Sequence, residues 1–119
     1  MVILDTNIFI YLAKGTLARQ LVAKTDIAHA SITKIEALGF SSIPANELLL
    51  LDALFGESYS LDLTDSVVGY AVKLRQARRM SLGDSLIAAT ALEHDLDLWT
   101  ANVDDFRHIE SLKLINPLA

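Results

Sequence analysis

Residues 1–7, MVILDTN, decide the fold of this chain. Three apolar residues, Val2, Ile3 and Leu4, predict a short strand that is buried on both faces. Asp5 follows the strand directly and is itself followed by Thr6 and Asn7. A carboxylate at the tip of a buried strand is costly unless it has partners, so this end of the strand is the first candidate for a functional site.

Strands and helices are predicted to alternate along the rest of the chain. Further strand signals lie at 27–30, 59–63, 96–99 and 113–115; helix signals lie at 6–24 with a break near Gly15, and at 31–40, 44–56, 64–79 and from Ser81 onward. This alternation favours crossover connections and a parallel sheet covered on both faces. Ligands bind such sheets beyond the carboxyl ends of the strands, where strand order reverses, and we expect the strand before Asp5 to be central.

Composition limits the classes of function. The 119 residues are 52% hydrophobic and include no cysteine, which predicts one packed domain, residues 1–119, without disulfides or thiolate chemistry. No apolar stretch approaches the roughly 20 residues of a membrane helix and no targeting segment is visible, so we expect a soluble, cytoplasmic protein. The net charge is −5, whereas a protein that only coats nucleic acid is normally basic. A cluster of carboxylates that holds cations would explain the acidic excess.

Several acids follow strands or begin helices, as Asp5 does. They are Glu36, Asp84, Asp104 and Asp105. Each has a structural alternative: Asp5 caps a helix, Thr33-x-x-Glu36 and Ser81-x-x-Asp84 match capping boxes, and Asn102 or Asp104 caps a last turn. If all the strand ends share one edge, however, these side chains converge, and like charges that converge need protons or metal ions between them. Clustered carboxylates suit Mg²⁺ or Mn²⁺, which support hydrolysis at phosphorus.

Four stretches resemble the motifs of the PIN domain, and in particular those of the VapC family of toxin ribonucleases from toxin–antitoxin pairs. They are ILDTN at 3–7, Glu36, GDSLIAATA at 83–91 and LWTANVDDF at 98–106. The resemblance implies a three-layer α/β/α sandwich with a central parallel sheet. It also implies an endoribonuclease that uses Mg²⁺ or Mn²⁺ and is inhibited by a small antitoxin protein. Ala101 departs from the family, which often has arginine in this loop.

The resemblance also implies a role for individual residues. Asp5 and Asp84 would be direct metal ligands, and Glu36 would be an outer ligand or would position water. Asp105 would be the fourth acid, preferred to Asp104 because Phe106 fixes the register. Hydrogen bonds would hold the first loop through Thr6 and Asn7, and the last loop through Thr100 and Asn102.

Other residues suggest surfaces for partners. Arg75, Arg78 and Arg79 precede the Asp84 turn and either bind RNA phosphates or form a solvated helix end. The stretch NELLLLDALFG at 46–56 has more leucine than one helix face buries, which predicts a homodimer or antitoxin interface unless the helix is enclosed. Phe9, Tyr11 and Leu12 are further candidates for an antitoxin groove. We expect His29 near the core, and His94 and His108 at the surface.

Two other classes of function are weighed against the enzyme. A receiver-like phosphoacceptor domain has a similar size and an acidic Mg²⁺ pocket, but it needs paired acids after the first strand, where this chain has Asp5-Thr6-Asn7. A catalytically silent PIN-like module would bind only RNA or protein.

Overall fold

The computed structural model describes residues 1–118. Within them, five strands form one parallel sheet: β1 (Val2–Leu4), β2 (Ile27–Ala30), β3 (Tyr59–Leu61), β4 (Asp97–Trp99) and β5 (Leu114–Ile115). The strand order is β3-β2-β1-β4-β5, so β1 is central, as predicted. The chain runs outward from β1 to β3 and then crosses to β4 on the other side, and strand order therefore reverses between β1 and β4.

The helices alternate with these strands, as the sequence predicts. They are α1 (Thr6–Lys14), α2 (Ser31–Leu38), α3 (Ala45–Glu57), α4 (Asp65–Ala77) and α5 (Leu82–His94). The predicted continuation of the first helix to residue 24 is wrong. Gly15 adopts a left-handed conformation with φ 79° and its N–H donates to the Leu12 carbonyl, which ends α1. Only a short 3₁₀ turn, Arg19–Leu21, follows.

Helices cover both faces of the sheet and give the predicted three-layer α/β/α arrangement. Neighbouring strand residues point to opposite faces. Leu4 therefore packs with α1 and α3, whereas Ile3 packs with α5. The outer helix α4 packs on α5 through Val67 and Ala71.

This topology brings several helix and strand ends to one edge. Helices α1 and α2 begin directly after β1 and β2, and α5 begins at the same edge because it runs antiparallel to the strand that follows it. The loop after β4 leaves the sheet there as well. Within residues 1–118, no helix combines the length and the apolar character required to cross a membrane.

Candidate functional site

Asp5 lies at the point where strand order reverses, and the surrounding backbone holds it there. Its side chain is 4% exposed. One carboxylate oxygen, Oδ1, accepts from the Thr6 N–H at 2.7 Å, and the other, Oδ2, accepts from the Thr100 hydroxyl at 2.8 Å. The Asp5 N–H donates to the Trp99 carbonyl at 2.9 Å, and the Asn102 N–H donates to Thr100 Oγ1 at 3.0 Å. Asp5 thus joins the ends of β1 and β4.

Glu36 approaches this position from α2. Its Oε1 atom accepts from the Thr6 hydroxyl at 2.7 Å, and Thr6 Oγ1 lies 3.2 Å from the hydroxyl of the fully buried Thr33. The alternative that Thr33 and Glu36 form a capping box is wrong. Helix α2 begins at Ser31 after Ala30 and has no side-chain cap, so both residues lie past its N-terminal cap.

Asp84 reaches the same edge from the first turn of α5. Here the capping alternative is correct for the backbone, since Ser81 Oγ accepts from the Asp84 N–H at 3.1 Å. The Asp84 side chain is half-buried. Residue 84 therefore contributes its N–H to the helix cap and its carboxylate to the space between the elements.

The three acids share one cleft of about 190 Å³. The residues that line it are Asp5, Thr6, Asn7, Ile10, Glu36, Phe40, Asp84 and Asn102. The structure thus brings together three of the four predicted acids and three of the four predicted supporting residues. The remaining supporting residue, Thr100, is fully buried behind Asp5.

The pKa values of the acids in the cleft are affected by partial burial and by the negative charges of neighbouring carboxylates. Burial, helped by the charges of Asp84 and Glu36, raises the pKa of Asp5 to about 6, against the lowering effect of the Thr100 and Thr6 hydrogen bonds. Burial and the charges of Asp105 and Glu36 also raise the pKa of Asp84. The ion pairs among residues 1–118 are Lys14–Glu47, Asp104–Arg107 and Asp97–Lys113, so none of the three acids in the cleft has a basic partner there.

The loop after β4 separates the two candidates for the fourth acid. Asp104 pairs with Arg107 at 3.1 Å on the exposed surface. Asp105 is also exposed, but its charge acts on Asp84 and raises the pKa of that residue. The effect of its charge on Asp84 therefore favours Asp105 over Asp104 as the fourth acid, although Asp105 lies outside the lining of the cleft.

The chemistry of the donors fits a hard divalent cation. Within residues 1–118, no three His, Cys, Asp or Glu side chains stand close enough together to form a metal cage by themselves. Mg²⁺ does not require such a cage, because it keeps several waters and takes one or two carboxylates directly. Two aspartates whose pKa values are raised by burial and by the charges of neighbouring carboxylates provide such a pair, and a cation would relieve the repulsion among these charges.

Of the predicted RNA-binding arginines, Arg75 lies in the last turn of α4, and Arg78 and Arg79 lie in the connection to α5. Arg75 Nε donates to the Met80 carbonyl at 3.3 Å, and Arg78 and Arg79 are exposed just before the Ser81 cap of α5. They therefore adjoin the helix that carries Asp84. A position at the end of α4 is also what the solvated-helix alternative predicts, so both interpretations stay open.

Of the two predicted partner surfaces, the one on α3 is exposed and the one on α1 is largely buried. Leu49 is 72% exposed on α3 while Leu51 and Leu54 are buried, so α3 does carry apolar surface on its outer side. The prediction that Phe9 and Leu12 line an antitoxin groove is wrong. Both are buried between α1 and α3, because these helices must cover the sheet, and nearby Tyr11 is half-buried.

The histidine predictions are correct for two residues and wrong for one. His29 is 2% exposed on β2, and His94 is exposed at the end of α5. His108 is half-buried rather than at the surface, and both of its ring nitrogens are enclosed without a hydrogen-bond partner among the described residues. Phe106 and Ile109, which are buried on either side of it, draw this segment against the core.

Sequence reasoning missed one residue of the cleft edge, Gly83. A β-carbon at this position would stand 2.6 Å from Glu36 Oε2. The signal was available, since glycine in the first turn of a helix lowers helix stability and therefore calls for a reason such as close approach.

Comparison with known proteins identifies a family whose model matches most of the chain. The PIN domain model matches residues 2–112. No curated protein sequence matches the chain significantly.

Among solved structures, the chain is similar to a chain of VapBC2 from Rickettsia felis, a structure that also contains a DNA fragment from the VapBC2 promoter. The two chains share 27% identity over 98% of both, with a TM-score of 0.81. It is also similar to a chain of VapBC-1 from nontypeable Haemophilus influenzae, with 25% identity over 100% of both chains and a TM-score of 0.78. A third similar chain, in a toxin–antitoxin complex from Klebsiella pneumoniae, has 25% identity over 98% of both chains and a TM-score of 0.74.

Proposed function

This chain belongs to the PIN domain family, and from that premise we propose that it is a metal-dependent endoribonuclease that acts as the toxin of a toxin–antitoxin pair. Members of this family are generally nucleases. The solved structures it resembles include VapBC complexes and another toxin–antitoxin complex. The observation that carries the proposal is the cleft in which Asp5, Glu36 and Asp84, remote in sequence, meet without a basic partner among residues 1–118.

Each acid has a distinct part in the proposed reaction. Asp5 and Asp84 hold Mg²⁺ or Mn²⁺, and the bound ion supplies the positive charge that phosphodiester hydrolysis needs. Thr6 and Thr100 each donate a hydrogen bond to a different carboxylate oxygen of Asp5 and so fix the direction of its carboxylate. Glu36, oriented by the Thr6 hydroxyl, accepts a hydrogen bond from the attacking water, and Asp105 adds negative charge near Asp84.

The test is cleavage of RNA by the purified protein with Mg²⁺ or Mn²⁺, with EDTA, and with the variant Asp84→Asn. We expect EDTA to stop cleavage and Asp84→Asn to reduce it by on the order of 100-fold or more, because an electrostatic partner of the reacting groups is lost. The fold should be retained, since the backbone N–H of residue 84 still donates to Ser81 Oγ, the N-terminal cap of α5.

Asp104→Asn is the matched control, because it removes an exposed aspartate in the loop after β4 that pairs with Arg107 and does not line the cleft. It should cleave like the unaltered protein. Full metal-dependent cleavage by Asp84→Asn would contradict the assignment. RNA binding without cleavage by the unaltered protein would favour the catalytically silent alternative. No structural observation favours the receiver-like alternative, and the cytoplasmic location stays a prediction.

The proposal includes a protein partner. If the neighbouring gene encodes an antitoxin, adding its purified product should suppress RNA cleavage in proportion to the amount of complex formed. Cleavage that is unchanged in a stable complex would contradict inhibition as the role of that partner.

A further inference from the structure

We propose that Gly83 is a positioning residue for Glu36: its missing side chain leaves the space in which the Glu36 carboxylate lies against the first turn of α5. A β-carbon on Gly83 would meet Glu36 Oε2 at 2.6 Å, Cδ at 3.2 Å and Oε1 at 3.3 Å. The whole carboxylate, and not one atom of it, thus occupies the space beside residue 83. The consequence for catalysis rests on the proposed function, but the geometric claim does not.

The Glu36 carboxylate lies between Thr6 on one side and Gly83 on the other. We call the space between these two residues the Glu36 slot. On one side the Thr6 hydroxyl donates to Oε1 at 2.7 Å. On the other side the Gly83 backbone lets α5 approach. Ordinary van der Waals contact begins at 3.4 Å, so a β-carbon would push Oε2 back by about 0.8 Å.

Movement of Glu36 would disturb the geometry of the cleft. Thr6 donates to both acids: its hydroxyl donates to Glu36 Oε1 at 2.7 Å, and its N–H donates to Asp5 Oδ1 at 2.7 Å. Residue 84, next to Gly83, supplies the third acid. The slot therefore sets the spacing between the acids of α2 and α5, and a displacement near 1 Å at a reacting group can cost on the order of 100-fold in rate.

Other glycines of this chain do not share this environment. Gly69 in α4 and Gly56 in α3 have nothing within 4 Å of a β-carbon added to them. Alanine is a better helix former than glycine, so replacement at those sites should not lower stability. Gly69→Ala is therefore the matched control for Gly83→Ala.

The first experiment is a double-mutant cycle on stability in EDTA, which needs no RNA. Denaturant midpoints are measured for Gly83→Ala, Glu36→Ala and the double variant. We expect Gly83→Ala to shift the midpoint upward more in the Glu36→Ala background than in the unaltered protein, because the clash is gone and only helix propensity remains. Gly69→Ala should shift the midpoint equally in both backgrounds. Equal shifts for Gly83→Ala in both backgrounds would overturn the proposal.

The second experiment is single-turnover RNA cleavage with Mn²⁺ at high enzyme concentration. Gly83→Ala should lower the rate about as much as Glu36→Ala does, and the double variant should be no slower than Glu36→Ala alone. A further drop in the double variant would mean that Gly83 acts through Asp84 or the backbone, against the proposal. If the unaltered protein cleaves no RNA, the proposed function fails while the stability cycle still decides the role of Gly83.

Discussion

The side chain of Asp5 accepts hydrogen bonds from Thr6 and Thr100 while it faces the charges of Asp84 and Glu36. Burial is the largest influence on this residue and raises its pKa to about 6. The folded protein therefore binds a proton at Asp5 more tightly than the unfolded chain, whose value is 3.8. The stability that this proton provides is complete below about pH 3.8 and is lost as pH rises through about 6.

We therefore expect Asp5→Asn to stabilise the metal-free protein at pH 7. The pKa difference corresponds to roughly 3 kcal/mol, from which about 1 kcal/mol is subtracted because the asparagine nitrogen cannot accept from Thr100. The net gain of about 2 kcal/mol in the free energy of unfolding should disappear near pH 4, where Asp5 of the folded protein carries its proton and most of the stability from that proton has returned. Denaturant unfolding in EDTA between pH 4 and pH 8 measures this. An equal difference at both ends of the range would contradict the account.

Among the structural elements, the connection from α4 to α5 carries the exposed Arg78 and Arg79 beside the helix of Asp84. If this connection binds RNA phosphates, replacing both arginines with alanine should weaken RNA binding and flatten its dependence on salt, because fewer counterions are released. Two lost phosphate contacts should reduce the slope of log K against log salt by about 1.4 for a single strand. Binding titrations at several salt concentrations measure the slope.

The control for this prediction lies at the opposite edge of the sheet. Arg19 and Lys24 precede β2, so they lie near the amino ends of the strands, and both are exposed. Replacing them with alanine should leave the slope nearly unchanged. If both pairs lower the slope equally, the arginines after α4 are only a solvated helix end.

Helix α3 exposes apolar rather than basic side chains. Leu49 is 72% exposed and Leu48 is 39% exposed, so a second copy of the chain or another protein could cover them. If α3 forms a homodimer, Leu49→Glu should convert dimers to monomers in static light scattering while the midpoint of thermal unfolding of the monomer changes little. Val72→Glu, at a half-exposed apolar position of α4, is the matched control and should leave the dimer intact. A protein that is strictly monomeric at high concentration contradicts the homodimer.

At the scale of the whole molecule, the topology places an acidic cleft where strand order reverses, in a chain of net charge −5. A cation that binds this cleft only in the folded state must stabilise the fold, by roughly 2.7 kcal/mol when its concentration is 100 times its dissociation constant. We expect Mn²⁺ to raise the midpoint of thermal unfolding and EDTA to reverse the rise. Asp84→Asn should abolish most of the effect, while Asp104→Asn should keep it. A rise of equal size in Asp84→Asn would place the ion elsewhere.

Much of this fold could be predicted because strand and helix signals are local. The buried run before Asp5, the Ser81 cap and the alternation of elements correspond to β1, α5 and the parallel sheet. The end of α1 was predicted less well. The apolar residues after Gly15 have a spacing that favours a continuing helix, but the left-handed conformation of Gly15 ends α1 and turns the chain away.

The sequence by itself determined the order of the elements and, through parallel pairing, the edge at which Asp5, Glu36 and Asp84 meet. Only the tertiary structure decided that Glu36 is no capping residue and that Phe9 and Leu12 are core. The physical reason is distance along the chain. A cap or a strand depends on neighbours a few residues away, whereas the contacts of a side chain depend on the elements that packing brings beside it, as α5 is brought beside Glu36 at Gly83.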